Sequence, residues 1–259
     1  MPHIEGRTVG EQQKNSTFKL DLKARQLADN RKISVQTMLR LSLWTTSFLG
    51  VLMKINKKDA IRIITEAAKK YEECLNNNTF LIVYEKLGIQ EYVEISFRDM
   101  FFLHLTGITT KLSAQRFYKA CIANKLSDSD ITIDNKGKVE QKLAVIPYLH
   151  ELLFNNCMIG DFINSGIKIR ADYFVGDTKF VLSLGVKKNR KTDIPVSLYK
   201  EDVRKLIAHK NKVLLIMKKK YNEEKYSEKT FISKKFDIKQ LNICNDLVSI
   251  SGLMDKEVL

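Results

Sequence analysis

The chain is short of the residues on which several kinds of protein depend. Its four cysteines, Cys74, Cys121, Cys157 and Cys244, are widely spaced, with no C-x-x-C pair and no histidine at ligand spacing. That spacing argues against a disulfide framework and a zinc site, and for free thiols in a reducing compartment. No helical H-E-x-x-H, P-loop or paired-glycine phosphate fingerprint occurs, so no motif marks a metal or nucleotide cofactor. Prolines number three and hydrophobic residues make up 44% of the chain, which excludes wholesale disorder. The most apolar run, Leu41 to Met53, is diluted by Ser and Thr and is too short to cross about 30 Å of hydrocarbon. It also lacks a small-x-small cleavage site, so a cytoplasmic protein with no membrane partner is expected. Acidic residues are the last deficit. Thirty of them face 44 lysines and arginines, a formal charge of +14. Such an excess favours polyanionic partners, nucleic acid above all, through counterion release and steering. Solvated surface lysine in a lysine- and asparagine-rich chain is the plainer alternative.

Periodicity divides the 259 residues in two. Residues 1–52 read as an extension, polar at first and then helical, and 53–259 as a self-sufficient α+β domain. In the domain, Asn56 is placed to cap a helix whose apolar face carries Ala60, Ile64, Ala67, Tyr71 and Leu75, and the Asn76-Asn77-Asn78 run ends it. Two strands follow, "TFLIVYEK" and "EYVEISFR", joined by a turn near Gly88. "SAQRFYKACIANK" and "VEQKLAVIPYLHELLFN" have helical spacing, the second kinked or restarted at Pro147. From about residue 157 the pattern becomes strand-like, through "CMIGDF", "GIKIRADYFV", "KFVLSLGVKK", "DIPVSL", "KVLLIMKKK" and "KTFISKKF". A short helix, "KEDVRKLIAHK", interrupts it. Helices and a hairpin followed by an antiparallel sheet make an α+β plan. Lys168 and Arg170 share one side of their strand, and "GVKKNRK" adds cations at a strand end. Lysines at sheet edges also suppress aggregation, which accounts for some of them without function.

Few histidines, no metal motif and a basic sheet fit metal-free RNA cleavage, in which the 2′-hydroxyl attacks the neighbouring phosphate. The protein then supplies a proton acceptor, a donor for the leaving oxygen and charge around the phosphorane. In "FRDMFFLHLTGIT", His104 lies among Phe102, Leu103 and Leu105, where burial would lower its pKa. Thr106 adds a hydroxyl on the same side if the segment is extended, and Gly107 permits a sharp turn. A histidine in such a run is more commonly a satisfied core group. His150, next to Glu151, reads as a packing residue and His209 as a helix-end residue. Asp161 and Asp172 are candidate acids, or turn residues and ion-pair partners.

Several segments in fixed order resemble the fourth subgroup of the phage Barnase–EndoU–Colicin–RelE-like nuclease family. They are "FFLHLTGI", "RFYKACIANKLSDSD", "QKLAVIPYL", "MIGDFINS", "LSLGV" and "IPVSLYKEDVRK". The likeness runs from near Met53 to about residue 240 and leaves the first fifty residues unexplained. It implies helices ahead of a four-stranded antiparallel sheet and a metal-independent RNase of phage or mobile-element type. Its motif positions fall on His104, Thr106, Lys142, Asp161, Ser197, Lys200 and Arg204. On that footing His104 is the expected proton-transfer group. Thr106 and Ser197 would orient the phosphate, and Lys142 and Arg204 would supply charge. Lys168, Arg170, Lys187, Lys188 and Lys200 would hold the RNA, with Asp161 a possible acid and no cofactor or metal.

A second expectation is a non-cleaving basic module that binds RNA or a host defence or translation ribonucleoprotein. A third is a toxin with an antitoxin partner. Oligomeric state is not legible.

Overall fold

In the computed structural model, residues 55–134, 137–163, 170–177, 179–243 and 246–249 are described. The proposed extension, residues 1–52, lies outside them, as do Lys168 and Cys244.

Helix α1 (Lys57–Cys74) begins as its sequence dictates, with Asn56 Oδ1 accepting from the Asp59 amide at 2.8 Å. Ala60, Ile64, Ala67, Ala68 and Tyr71 form its buried face, and Asn77 reverses the chain with φ of 55°. Strands β1 (Asn78–Lys86) and β2 (Ile89–Phe97) then pair antiparallel about a two-residue turn. Leu87 and Gly88 both have positive φ there, 52° and 79°, as a type I′ hairpin requires.

The His104 segment departs from an extended reading. It forms helix α2 (Asp99–Thr106), which buries Phe102 and Leu105. An unbroken apolar run fits either periodicity, and here the stop signal decides. Thr106 Oγ1 donates to the Leu103 carbonyl at 2.8 Å and accepts from the Ile108 amide at 3.1 Å, while Gly107 takes the left-handed C-cap at φ 74°.

A small pair, β3 (Thr109–Thr110) and β4 (Ile131–Thr132), flanks α3 (Ala114–Ile122), whose Phe117 and Cys121 are buried. Helix α4 (Lys138–Val145) tightens to a 3₁₀ turn at Ile146–Tyr148, where Pro147 sits, and resumes as α5 (Leu149–Leu152). Then come β5 (Met158–Asp161), β6 (Tyr173–Gly176), β7 (Ser183–Lys187), β8 (Ile194–Tyr199), β9 (Asn211–Lys220) and β10 (Glu228–Ile232).

The α+β class holds, but the sheet is larger than the four strands the resemblance implied. Among the described residues eight strands join, seven in the order β2-β1-β9-β5-β6-β7-β8 and β10 also on β9. The early hairpin enters it because β9 is long enough to pair with β1 along one edge and with β5 and β10 along the other. The path curls until its ends meet. The Ser96 amide donates to the Asp193 carbonyl at 3.0 Å, and the Asp193 amide to the Glu94 carbonyl at 2.8 Å. Helices α1 to α5 bury their apolar faces against the concave side, on Phe80, Ile82, Ile95, Phe97, Val175, Leu184 and Leu198.

The helix expected in "KEDVRKLIAHK" is only a 3₁₀ turn, Val203–Lys205. Its continuation lies flat on the convex side, with the Ile163 amide donating to Leu206 O at 2.9 Å and the Ala208 amide to Asp161 O at 3.0 Å. Bonds to another segment replace the helical ones, and Val203, Leu206 and Ile207 pack on Phe174. The approach is close because Gly160 and Gly176 lie beneath. A Cβ on Gly160 would sit 2.2 Å from the His209 carbonyl oxygen, and one on Gly176 would sit 2.6 Å from Val203 Cβ.

Candidate active site

Strand alternation carries β1 from the apolar interior to a polar lip. Phe80 and Ile82 face the core, so Tyr84 and Lys86 face the same side, and the hairpin register sets Glu91 opposite Tyr84 and Ile89 opposite Lys86. The Tyr84 hydroxyl donates to Glu91 Oε2 at 2.8 Å. From the far side, β5 ends on Asp161, whose Oδ2 lies 3.0 Å from Lys86 Nζ. Tyr173, opposite Asp161 on β6, donates its hydroxyl to Asp193 Oδ2 at 2.7 Å, and Asp193 Oδ1 accepts from the Asn189 amide at 3.1 Å. Tyr84, Lys86, Glu91, Asp161 and Tyr173, with Lys188 and Asn211, line an open cavity of about 70 Å³, room for a few waters or part of a substrate.

Burial, and then the bond to Glu91, pushes the Tyr84 phenol up; burial and the bond to Asp193 do the same for Tyr173. Both phenols therefore stay protonated donors at neutral pH. The hydrogen bond from Lys86 to Asp161, with the attraction between them, raises the lysine and keeps it cationic. The end of the curled sheet thus presents carboxylates, ammonium groups and fixed hydroxyls around one concavity.

Of the residues chosen from sequence, Asp161 and Lys188 come to this cavity. A second pair meets elsewhere. Lys142 reaches from α4 to donate to the His104 carbonyl at 2.9 Å, its stem crossing over Gly107, where a Cβ would lie 2.8 Å from Lys142 Cδ. Burial, with help from nearby Lys138, brings the Lys142 ammonium down to about 8. The His104 side chain is exposed, not enclosed by its apolar neighbours as the sequence indicated. Thr106 is fully buried with its oxygen committed to backbone, which leaves it no face for a phosphate.

Ser197 and Arg204 do not join that pair. Ser197 is opposite Gly185, whose side of the sheet faces Ala171 and Phe174, whereas α2 packs with Leu198 on the other side. Arg204 is exposed on the turn covering the convex side, its Nε donating to both carboxylate oxygens of Asp202 at 3.0 and 2.9 Å. The expected five-residue constellation is therefore divided between two faces. Arg170, Lys187 and Lys200 are exposed. Asp172 accepts from the Lys188 amide at 2.7 Å. His150 is half-buried, and burial lowers its pKa. His209 is exposed in a bend, the helix end expected for it being absent.

Tyr84, Lys86, Glu91, Tyr173 and Asp193 were not singled out from sequence. A two-residue turn at Leu87-Gly88 would have placed Tyr84 opposite Glu91. The meeting of Lys86 with Asp161 depends on long-range pairing that no local pattern announces.

A model of the phage-Barnase-EndoU-ColicinE5/D-RelE like nuclease4 family matches residues 63–235, more than half of the chain. The chain belongs to that nuclease family. Its substrate class is accordingly nucleic acid. The match takes in both places described above, His104 with Lys142 and the cavity lined by Glu91, Asp161 and Lys188. No curated protein and no solved structure matches the chain. Among the described residues no helix is long and apolar enough to cross a membrane.

Proposed function

We propose that the chain is an RNA-cleaving nuclease that works without a metal, with its active centre in the polar cavity at the open end of the sheet. The observation that carries this reading is the convergence of Glu91, Asp161, Lys86 and Lys188 on one concavity, from strands far apart in sequence. Glu91 accepts the proton of the 2′-hydroxyl as that oxygen bonds to phosphorus. Lys86 and Lys188 offset the charge of the phosphorane, and the bond to the 5′-oxygen breaks as Lys188 returns a proton to it. The products are a 2′,3′-cyclic phosphate and a 5′-hydroxyl. The exposed cations Arg170, Lys187 and Lys200 contribute to binding the RNA backbone. The charge of +14 supports that part, and the phage in the family's description supports a phage or mobile-element setting, with the bacterial cytoplasm as part of the same reading.

A second reading places proton transfer at His104. The half-buried Lys142 at about 8, bonded to the His104 backbone, favours it, because a lysine brought near neutrality is a competent acid or base. Cleavage of labelled RNA in EDTA by wild type, Glu91→Gln and His104→Ala separates the two. Loss confined to Glu91→Gln supports the cavity, and loss confined to His104→Ala moves the centre to α2. RNA shifted but uncut by wild type leaves a binding module that blocks a host ribonucleoprotein.

A further inference from the structure

The tip of the β1–β2 hairpin is built against its own stability. A two-residue turn with positive φ at both positions calls for Asn, Asp or Gly at the first, because a side chain there crowds the backbone. Here the position holds Leu87, at φ 52° and 88% exposed. Its neighbour Ile89 is 67% exposed, and the backbone at Gly88 has open space around it. Among the described residues nothing covers either side chain, and nothing there offsets the strain or the exposure.

The location supplies a use. Ile89 is paired with Lys86 and shares its side of the sheet with Glu91, so the apolar tip adjoins the stretch of cavity wall that Lys86 and Glu91 form. Another wall is the β7–β8 turn, whose Lys188 lines the cavity and whose Arg190 and Lys191 are also exposed. A surface with an apolar tip and a cationic wall matches a single nucleotide strand, which offers an unstacked base and a phosphate in adjoining positions.

We propose that Leu87 and Ile89 dock an unpaired nucleobase of single-stranded RNA while the β7–β8 turn holds the neighbouring phosphates. This rests on the cavity being the nuclease's substrate site. Binding of a fluorescent, 2′-deoxy single-stranded oligonucleotide, which cannot undergo attack by a 2′-hydroxyl, is measured by anisotropy for wild type, Leu87→Asn and Ile89→Thr. Melting temperatures are taken alongside, and cleavage of the ribo-oligonucleotide is scored separately. The proposal expects both variants to bind about fivefold more weakly or worse. Leu87→Asn should melt at the wild-type temperature or above it, since asparagine suits the turn. Unchanged affinity overturns the docking role, and so does an affinity loss that accompanies a lower melting temperature in both variants. Wild type that binds through the tip but never cuts the ribo-oligonucleotide leaves docking standing and removes the cleavage reading instead.

Discussion

Lys86 Nζ lies 3.0 Å from Asp161 Oδ2, across 75 residues of sequence and with strand β9 between the two strands that carry them. The contact joins the early hairpin to the later strands at the rim of the cavity. The Asp161 side chain keeps 51% of its exposure, so the pair contributes at most about 1 kcal/mol to stability. Lys86→Met and Asp161→Asn should therefore leave thermal melting nearly unchanged. Lys86→Met should slow RNA cleavage tenfold or more, about the effect of losing one cation at a developing phosphorane. A large loss of stability in either variant would make the bridge a structural clasp.

Lys142 makes a prediction about pH. Its ordinary value is 10.5 and the fold lowers it to about 8, chiefly through burial. Between those values the unfolded chain binds the extra proton and the folded one does not, so this residue makes stability rise with pH across the window. Below about 8 the folded lysine is charged and its full burial cost is present. Lys142→Met should lack the rise. Denaturant titrations of both proteins at a pH below 8 and another near 10 check it, and parallel stability curves would contradict it.

Thr106 separates a helix stop from a phosphate ligand. Replacing it by Val removes the oxygen that serves the Leu103 carbonyl and the Ile108 amide, inside the protein. The expected cost is about 1–2 kcal/mol of stability. Cleavage per folded molecule should stay at the wild-type level. A selective fall in cleavage at unchanged stability would restore the phosphate role.

Gly160 bears on the closeness of the convex strap. Alanine there would bring Cβ to 2.2 Å from a backbone oxygen and 2.9 Å from Ile207 Cβ, neither of which moves cheaply. Gly160→Ala should cost over about 2 kcal/mol, read as a lower denaturation midpoint. A neutral result would mean that the 203–209 segment does not lie against β5.

What the sequence discloses follows the range of the interactions. The cap at Asn56, the turn at Gly88, the kink at Pro147 and the β9 run are local, and each stands where the residues indicated, whereas the "GIKIRADYFV" run is strand only from Tyr173 among the described residues and leaves Arg170 outside it. The α2 segment was ambiguous because apolar residues on every side erase periodicity. The 203–209 segment has helical spacing, yet its backbone groups find partners on β5 and the helix does not form. The site divides in the same way. Asp161 and Lys188 were visible as polar residues at strand ends. Glu91 and Tyr84 resembled ordinary solvent-side residues, since nothing local says that the sheet curls until strand β2 meets Asp193. Motif order alone grouped Ser197 and Arg204 with His104, and strand alternation sets Ser197 on the opposite side.

The central claim is tested most directly by incubating single-stranded RNA with wild type and Glu91→Gln in EDTA and resolving the product ends. The account predicts 2′,3′-cyclic phosphate ends from wild type and a loss of about a hundredfold or more in the variant, as befits a missing general base. Wild-type ends of another kind, or Glu91→Gln cutting as fast as wild type, would contradict it.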